Sequence, residues 1–209
     1  MITLYSGTPG SGKSLNVAKK IYSRLNRKKN NNVIANFNIN LSLIKKDKYI
    51  FIYRDNSDMT VEFLVNYAKE NHVLGVENQT LVVIDECQVI WNARDWNSKI
   101  YKNHRMDWIK FFTQHRKLGF NFIIIAQYDR MIDKQIRCLI EYEVVHRKVN
   151  NYKIGILFPM PLFIAIEKWY GLNEVLQRDF FIYGKKWGKF YDSYGTWELD
   201  DKIKDMFMD

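Results

Sequence analysis

Two stretches carry residue types whose order and spacing could do phosphate chemistry. The first is Gly7-Thr8-Pro9-Gly10-Ser11-Gly12-Lys13-Ser14, which fits G-x-x-x-x-G-K-[ST] without a mismatch. Gly7, Gly10 and Gly12 can take backbone angles closed to other residues, so successive N–H groups can turn inward around an anion. Lys13 would reach the β- and γ-phosphates of a nucleotide such as ATP, and the Ser14 hydroxyl would sit on Mg2+. Leu15 onward reads as a helix whose N-terminal dipole favours the same anion. The alternative is a glycine-rich strand–helix turn that binds nothing.

The second stretch is Leu81-Val82-Val83-Ile84-Asp85-Glu86, an apolar strand ending in two acids. Behind a P-loop, Asp85 is expected to hold Mg2+ through water and Glu86 to act as general base on an attacking water. Without the P-loop the pair would be an ordinary strand end. A third candidate, Gln127, ends the apolar run Phe122–Ala126, where its amide could donate and accept near the γ-phosphate or the lytic water. Its alternative is a strand tip facing solvent. Arg116, in His115-Arg116-Lys117-Leu118-Gly119, reads either as an arginine finger for a neighbouring subunit's nucleotide or as a cation complementing a helix C-terminus. His115 reads as a surface or capping residue, and Cys87 as a small buried side chain.

These groups need a scaffold that brings strand ends together. Strands are expected at Ile2–Tyr5, Val33–Phe37, Tyr49–Tyr53, Leu81–Ile84, Phe120–Ala126 and Tyr142–Val149, the last turning at Asn150-Asn151 into Tyr152–Phe158. Helices are expected at Leu15–Asn26, Thr60–Asn71 (capped by Asp58 or Thr60), Met106–Lys117 with Gly119 as its stop, and Met131–Leu139, with a short one at Leu41–Ile44. Asn92–Asn103 is polar and patternless, an exposed loop or a frayed helix. The alternation of strand and helix predicts an α/β fold with a parallel sheet covered on both faces, ligands lying at the carboxyl ends of the strands. The expected organisation is one P-loop domain over 1–209, with a nucleotide-binding core at 1–140 and a β-rich hairpin and tail at 141–209.

Composition narrows the classes further. Lys and Arg number 32 against 23 Asp and Glu, a formal charge of +9, which permits an acidic partner such as nucleic acid or an anionic membrane. Two cysteines make neither a disulfide framework nor a metal site. Nothing at the N-terminus reads as a signal peptide, and the longest apolar run, Ile154–Ile166, is interrupted by Gly155, Pro159 and Pro161, so no spanning helix is expected. The basic face of the first helix (Lys19, Lys20, Arg24, Arg27, Lys28, Lys29) reads as solvated surface. Trp187, Phe190, Tyr191 and Tyr194, among lysines, read as packing residues that could also stack on bases or rest at a membrane interface.

Taken with the P-loop, the segment Ile84-Asp85-Glu86-Cys87-Gln88-Val89-Ile90-Trp91 and the segment from His115-Arg116 through Gly119 to Gln127 resemble the zonular occludens toxin (Zot) family, the ATPase domain of filamentous-phage assembly and export proteins related to the FtsK/HerA translocases. The resemblance covers about the N-terminal two thirds of the chain. It implies a RecA-like P-loop ATPase, a homo-oligomer with a ring as one arrangement, which hydrolyses ATP with Mg2+ to extrude single-stranded phage DNA and coat subunits through the host membrane. It assigns Lys13, Ser14 and the rest of Gly7–Leu15 to nucleotide, Ser14 and Asp85 to metal, Glu86 and Gln127 to hydrolysis, and Arg116, more weakly, to a neighbouring site. Virion or membrane export proteins would be partners, and the location would be the host cytoplasm or the inner face of its membrane. Family members commonly continue into a membrane-spanning helix and an outer domain, and neither is expected within these 209 residues. A small-molecule P-loop kinase is the rival enzyme, disfavoured by the acid pair and the want of an arginine-rich lid. A nucleotide-bound scaffold or DNA-binding module without turnover is the non-enzymatic rival. Small-GTPase chemistry finds no Asn-Lys-x-Asp. Lys13→Ala is expected to abolish nucleotide binding or turnover, read by titration with a fluorescent ADP derivative and by phosphate release.

Overall fold

The computed structural model describes residues 1–94, 99–151, 160–172 and 174–191. Eight strands form one sheet in the order β3-β2-β4-β5-β1-β6-β7-β8. The six strands β1 (Ile2–Ser6), β2 (Asn32–Ala35), β3 (Ile50–Tyr53), β4 (Thr80–Ile84), β5 (Phe120–Ile125) and β6 (Tyr142–Lys148) run parallel. β7 (Leu162–Trp169) and β8 (Val175–Ile182) close one side antiparallel.

Every residue of β1 and of β4 is buried, as expected of strands with neighbours on both edges and helices on both faces. On one face lie α2 (Val61–Asn71), α3 (Lys99–Gln114) and the short α4 (Lys134–Arg137). Leu64, Tyr67 and Ala68, then Trp108, Phe111 and Phe112, then Ile136 pack there on Ile2, Leu4, Val82, Ile84, Phe122 and Ile124. On the other face α1 (Lys13–Leu25) sets Val17, Ala18, Ile21 and Leu25 against Tyr5, Val83, Ile123, Ile125 and Val144, and α5 (Lys185–Phe190) adds Phe190. Alternate residues of each buried strand thus feed opposite layers.

Several expectations are corrected. α3 begins at Lys99, seven residues ahead of the Met106 expected, because a helix nucleated on buried Trp108 and Phe111 extends through polar residues that no periodicity marks. The helix expected at Met131–Leu139 is a 3-10 turn at Asp129–Met131 followed by α4, whose start is set by Asp133 Oδ1 accepting from the N–H groups of Gln135 and Ile136. The antiparallel partner of β6 is β7. Asn150-Asn151 belong to a 3-10 turn, and the expected strand at Tyr152–Phe158 lies outside the described residues. Asn150 reaches across instead, its Oδ1 accepting from the Leu162 N–H at 2.6 Å.

Arg24 leaves the solvated face assigned to it. It is buried, and its guanidinium donates to the Asn78 side chain at 2.7 Å and to the Asn78 carbonyl at 2.8 Å. No helix among the described residues is long and apolar enough to cross a membrane.

Of the two caps weighed for α2, Thr60 is used, its Oγ1 accepting from the Phe63 N–H at 3.1 Å. Thr60→Ala is expected to lower stability by about 1 kcal/mol, seen as a lower urea midpoint at unchanged slope.

Candidate functional site

Parallel strands end on the same edge, so β1, β4, β5 and β6 deliver Gly7, Asp85, Gln127 and Lys148 to one side of the sheet. β5 is inserted between β1 and β4. The P-loop leaves β1, crests at the exposed Thr8, Pro9 and Gly10, and enters α1 with Gly12 as cap at φ 94°. A Cβ on Gly12 would meet the Phe163 ring of β7 at 2.7 Å, and one on Gly7 would meet the His146 carbonyl oxygen at 2.6 Å. Both positions therefore exclude side chains by contact as well as by backbone angle. The first turn of α1 holds no acid and receives no side-chain cap, so Lys13, Ser14 and Leu15 stand where a helix offers amides and positive potential to an anion. Ser11 Oγ is buried without a hydrogen-bond partner among the described residues. A cradle closed to Cβ atoms, with an unpartnered hydroxyl and open first-turn amides, fits a phosphate group.

Lys13 Nζ donates to the carbonyls of Gly7 at 2.5 Å and Thr8 at 3.2 Å, which arches the side chain back over the loop. Burial lowers its pKa, and the charges of Asp85 and Glu86 oppose that shift, so the lysine and both acids share one electrostatic neighbourhood. Burial likewise raises the Asp85 pKa. Hydrogen bonds from Tyr191 and from the Glu86 N–H pull it down, the Glu86 charge adds to the rise, and Lys13 counters it. Asp85 Oδ1 accepts the Glu86 N–H at 2.8 Å, and its Oδ2 accepts the Tyr191 hydroxyl at 2.9 Å. Glu86 itself holds a left-handed backbone, φ 47° and ψ 45°, a conformation that costs a side-chain-bearing residue about 1–2 kcal/mol. That turn redirects the chain immediately after β4, and the Glu86 carboxylate accepts from the Gln88 amide. Among the described residues no cluster of three or more His, Cys, Asp or Glu could hold an ion unaided. Ser14 with Asp85 suits Mg2+ that arrives on a nucleotide's phosphates, an ion commonly bound by one or two carboxylates plus substrate oxygens.

Gln127 is tied to the loop through its backbone, its carbonyl accepting the Gly7 N–H at 3.2 Å. With Gly7, Thr8, Tyr128, Asp129 and His146 it lines a cavity of about 380 Å3 beside the loop.

Arg116 is not brought to this edge. It sits at the entry to β5 and pairs with Glu141 at 2.5 Å. The Met1 ammonium lies 3.4 Å from the same carboxylate, at the far end of β1 and roughly 20 Å from the P-loop at strand rise. His115, expected as a surface or capping residue, is buried, its ring between the Phe112 carbonyl of the last turn of α3 and the Met1 ammonium. Of the aromatic tail, Phe190 is core, Trp187 packs edge-on to Tyr22, Tyr191 faces Asp85, and Tyr194 lies outside the described residues.

Two site residues carry no sequence signal of their own. Asn36, just past β2, grips the Asp85 backbone from both sides, accepting its N–H at 2.7 Å and donating to its carbonyl at 2.8 Å. His146, near the end of β6, is buried beside the P-loop, with Nε2 2.9 Å from the Asn16 amide and Nδ1 3.3 Å from the Ser6 carbonyl.

A sheet whose P-loop strand and acid-bearing strand flank an inserted third, with helices on both faces, defines the RecA-like P-loop fold class. Within that class the chain belongs to the zonular occludens toxin (Zot) family, whose description it matches over residues 1–194. Its curated relatives include the Gene 1 protein of Enterobacteria phage I2-2, 29% identical over 161 residues that make up 75% of this chain and 42% of that protein. The chain thus spans less than half the length of that relative. The N-terminal domain of zonular occludens toxin from Neisseria meningitidis superposes with a TM-score of 0.56 at 21% identity, covering 91% of this chain and 97% of that one. A DnaB-like replicative helicase gives 0.61 at 13%, covering 91% of this chain and 58% of the helicase. The two structures are likenesses of fold.

Burial lowers the His146 pKa from 6.5 to about 4, so the folded protein holds it neutral. An unfolded chain protonates first as pH falls. The stability this site contributes is therefore complete above pH 6.5 and drains towards pH 4, by on the order of 3 kcal/mol. Urea midpoints measured across that window should fall less steeply for His146→Gln than for the parent.

Proposed function

We propose that this chain is the ATP-hydrolysing motor domain of a filamentous-phage assembly and export machine, working as a homo-oligomer in the host cytoplasm or at the inner face of its membrane. One observation carries the enzymatic part. The P-loop lysine and the two acids of β4, far apart in sequence, come within electrostatic reach of one another on the same sheet edge, Lys13 feeling both Asp85 and Glu86. The phage role is supported by membership of the Zot family and by relatives that are Gene 1 proteins of phages.

In this reading the loop amides and Lys13 hold the triphosphate and draw charge from its β- and γ-oxygens. Ser14 and Asp85 would hold Mg2+, which when bound supplies charge neutralisation to the same oxygens. Glu86 takes the proton of the water that attacks the γ-phosphorus, and Gln127 orients that water. Asn36 keeps the Asp85 backbone from shifting as charge moves past it. Single-stranded DNA and coat or membrane export proteins are the cargo and partners in this proposal, consistent with the excess of 32 basic over 23 acidic residues. Arg116 enters only as a group acting on a neighbouring copy, since within its own chain it pairs with Glu141.

Glu86→Gln is expected to bind ATP as the parent does while turnover falls about 100-fold or more, measured as phosphate release with and without single-stranded DNA. Parent-like turnover would remove Glu86 from the base role. Mixing Arg116→Ala with Glu86→Gln subunits should restore part of the lost rate if the arginine serves the next subunit. No restoration in an intact oligomer would leave Arg116 as a structural ion pair.

A further inference from the structure

Tyr191 stands on the functional edge, although phosphate binding and water attack leave it no task. It follows α5, and its hydroxyl donates to Asp85 Oδ2 at 2.9 Å, with Ser14 in the same electrostatic neighbourhood. Those are the two residues suited to a nucleotide-borne divalent cation. The ring is not a loose surface group. It packs edge-on against Phe37 with centroids 4.7 Å apart, and its N–H donates to the Trp187 carbonyl at 3.0 Å. Phe190, one residue earlier, is fully buried against Tyr22 of α1, and its carbonyl accepts the Asn40 N–H at 2.9 Å. Lys186 lies 3.7 Å from the centre of the Tyr22 ring. The end of α5 is therefore clamped to α1 and to the segment after β2, with the Tyr191 phenol reaching from that clamp into the metal position.

We propose that Tyr191 is a positioning residue that latches Asp85 to the end of α5, and that its hydroxyl has to give way when a divalent cation on a nucleotide engages that carboxylate. The inference rests on the nucleotide reading above. The phenol occupies an acceptor position on Asp85 Oδ2, and a water carried by Mg2+ would need that same position. Both Asp85 oxygens are already satisfied by neutral donors, the Glu86 N–H and the Tyr191 hydroxyl. Exchanging one neutral donor for a divalent charge favours the carboxylate, so the latch yields and does not block. Phosphates without the cation engage the loop amides and Lys13 and leave the phenol where it is. Cation loading is thereby coupled to the hold of α5 on the P-loop helix, whereas phosphate binding alone is not.

The test compares the parent with Tyr191→Phe, which keeps the ring and its Phe37 contact. A fluorescent ADP derivative is titrated with Mg2+ and, separately, with EDTA. In EDTA the two proteins should agree within about twofold, and with Mg2+ the phenylalanine variant should bind roughly fivefold to tenfold more tightly, because one hydrogen bond no longer has to be broken. Hydrogen exchange supplies a readout independent of turnover. In the parent, amides 187–191 should exchange faster with ADP and Mg2+ than with ADP and EDTA. Weaker Mg2+-dependent binding by the variant would make Tyr191 a support for the metal and overturn the latch, as would identical affinities with no change in exchange. If the parent binds no nucleotide under either condition, the nucleotide reading falls along with the latch. If it binds and the variant matches it, only the latch falls.

Discussion

The site depends on the parallel register that joins β1 to β5 and β5 to β4. Leu4 stands opposite Ile124, and Ile124 opposite Ile84, so one row of buried residues runs across all three strands. Side chains alternate faces along a strand, and a slip of one residue would turn the rows feeding the two core layers inside out. Both layers are apolar and closely packed, so a slip would drive Ile2, Leu4, Val82, Ile84, Phe122 and Ile124 into space shaped for Tyr5, Leu81, Val83, Ile123 and Ile125, and the packing mismatch opposes it. Because the register is held, the strand ends are held too, and the P-loop, Gln127 and the acids inherit fixed relative positions. The apolar layers thus supply the precision that phosphate chemistry needs.

Around that frame, polar groups of side chain and backbone hold the chain where the strands stop. Asn36 clamps Asp85 from β2, Gln127 anchors Gly7 through its carbonyl, and His146 links Ser6 to Asn16. Each joins segments remote in sequence, and each sits where strand pairing has ended and backbone groups would otherwise lack partners. The strained Glu86 backbone lies within this frame, where fixed neighbours on both sides can hold a conformation that an isolated turn would relax.

The N-terminal two thirds of the fold was legible because its signals are local. Glycine spacing marked the P-loop, continuous apolar runs marked buried strands, and Asp58 or Thr60 marked a helix start. The C-terminal third was not legible. β8 is exposed along nearly its whole length, so no burial pattern is written into Val175–Ile182. β7 carries apolar residues on both faces, yet only Phe163 and Ala165 of one face are buried. The basic aromatic run Lys185–Tyr191 reads as packing residues that could also stack on bases, and leaves open which of them pack. Phe190 is core and Tyr191 faces an acid because only the docking of α5 on α1 decides which side of that short helix is inside.

By itself the sequence determined the groups on offer: a glycine loop of the phosphate-binding pattern, a hydroxyl beside its lysine, two acids and a strand-end amide, because residue type and short spacing suffice for those. It could not determine which of these meet. Arg116 and Gln127 belong to the same helix–strand segment, yet tertiary structure sends one to the Met1 end of the sheet and the other to the P-loop end. Strand direction alone separates them. Asn36, His146 and Tyr191 became site residues for the same reason, since the strand order β2-β4-β5-β1-β6 and the return of the chain over α1 bring together groups that no local pattern connects.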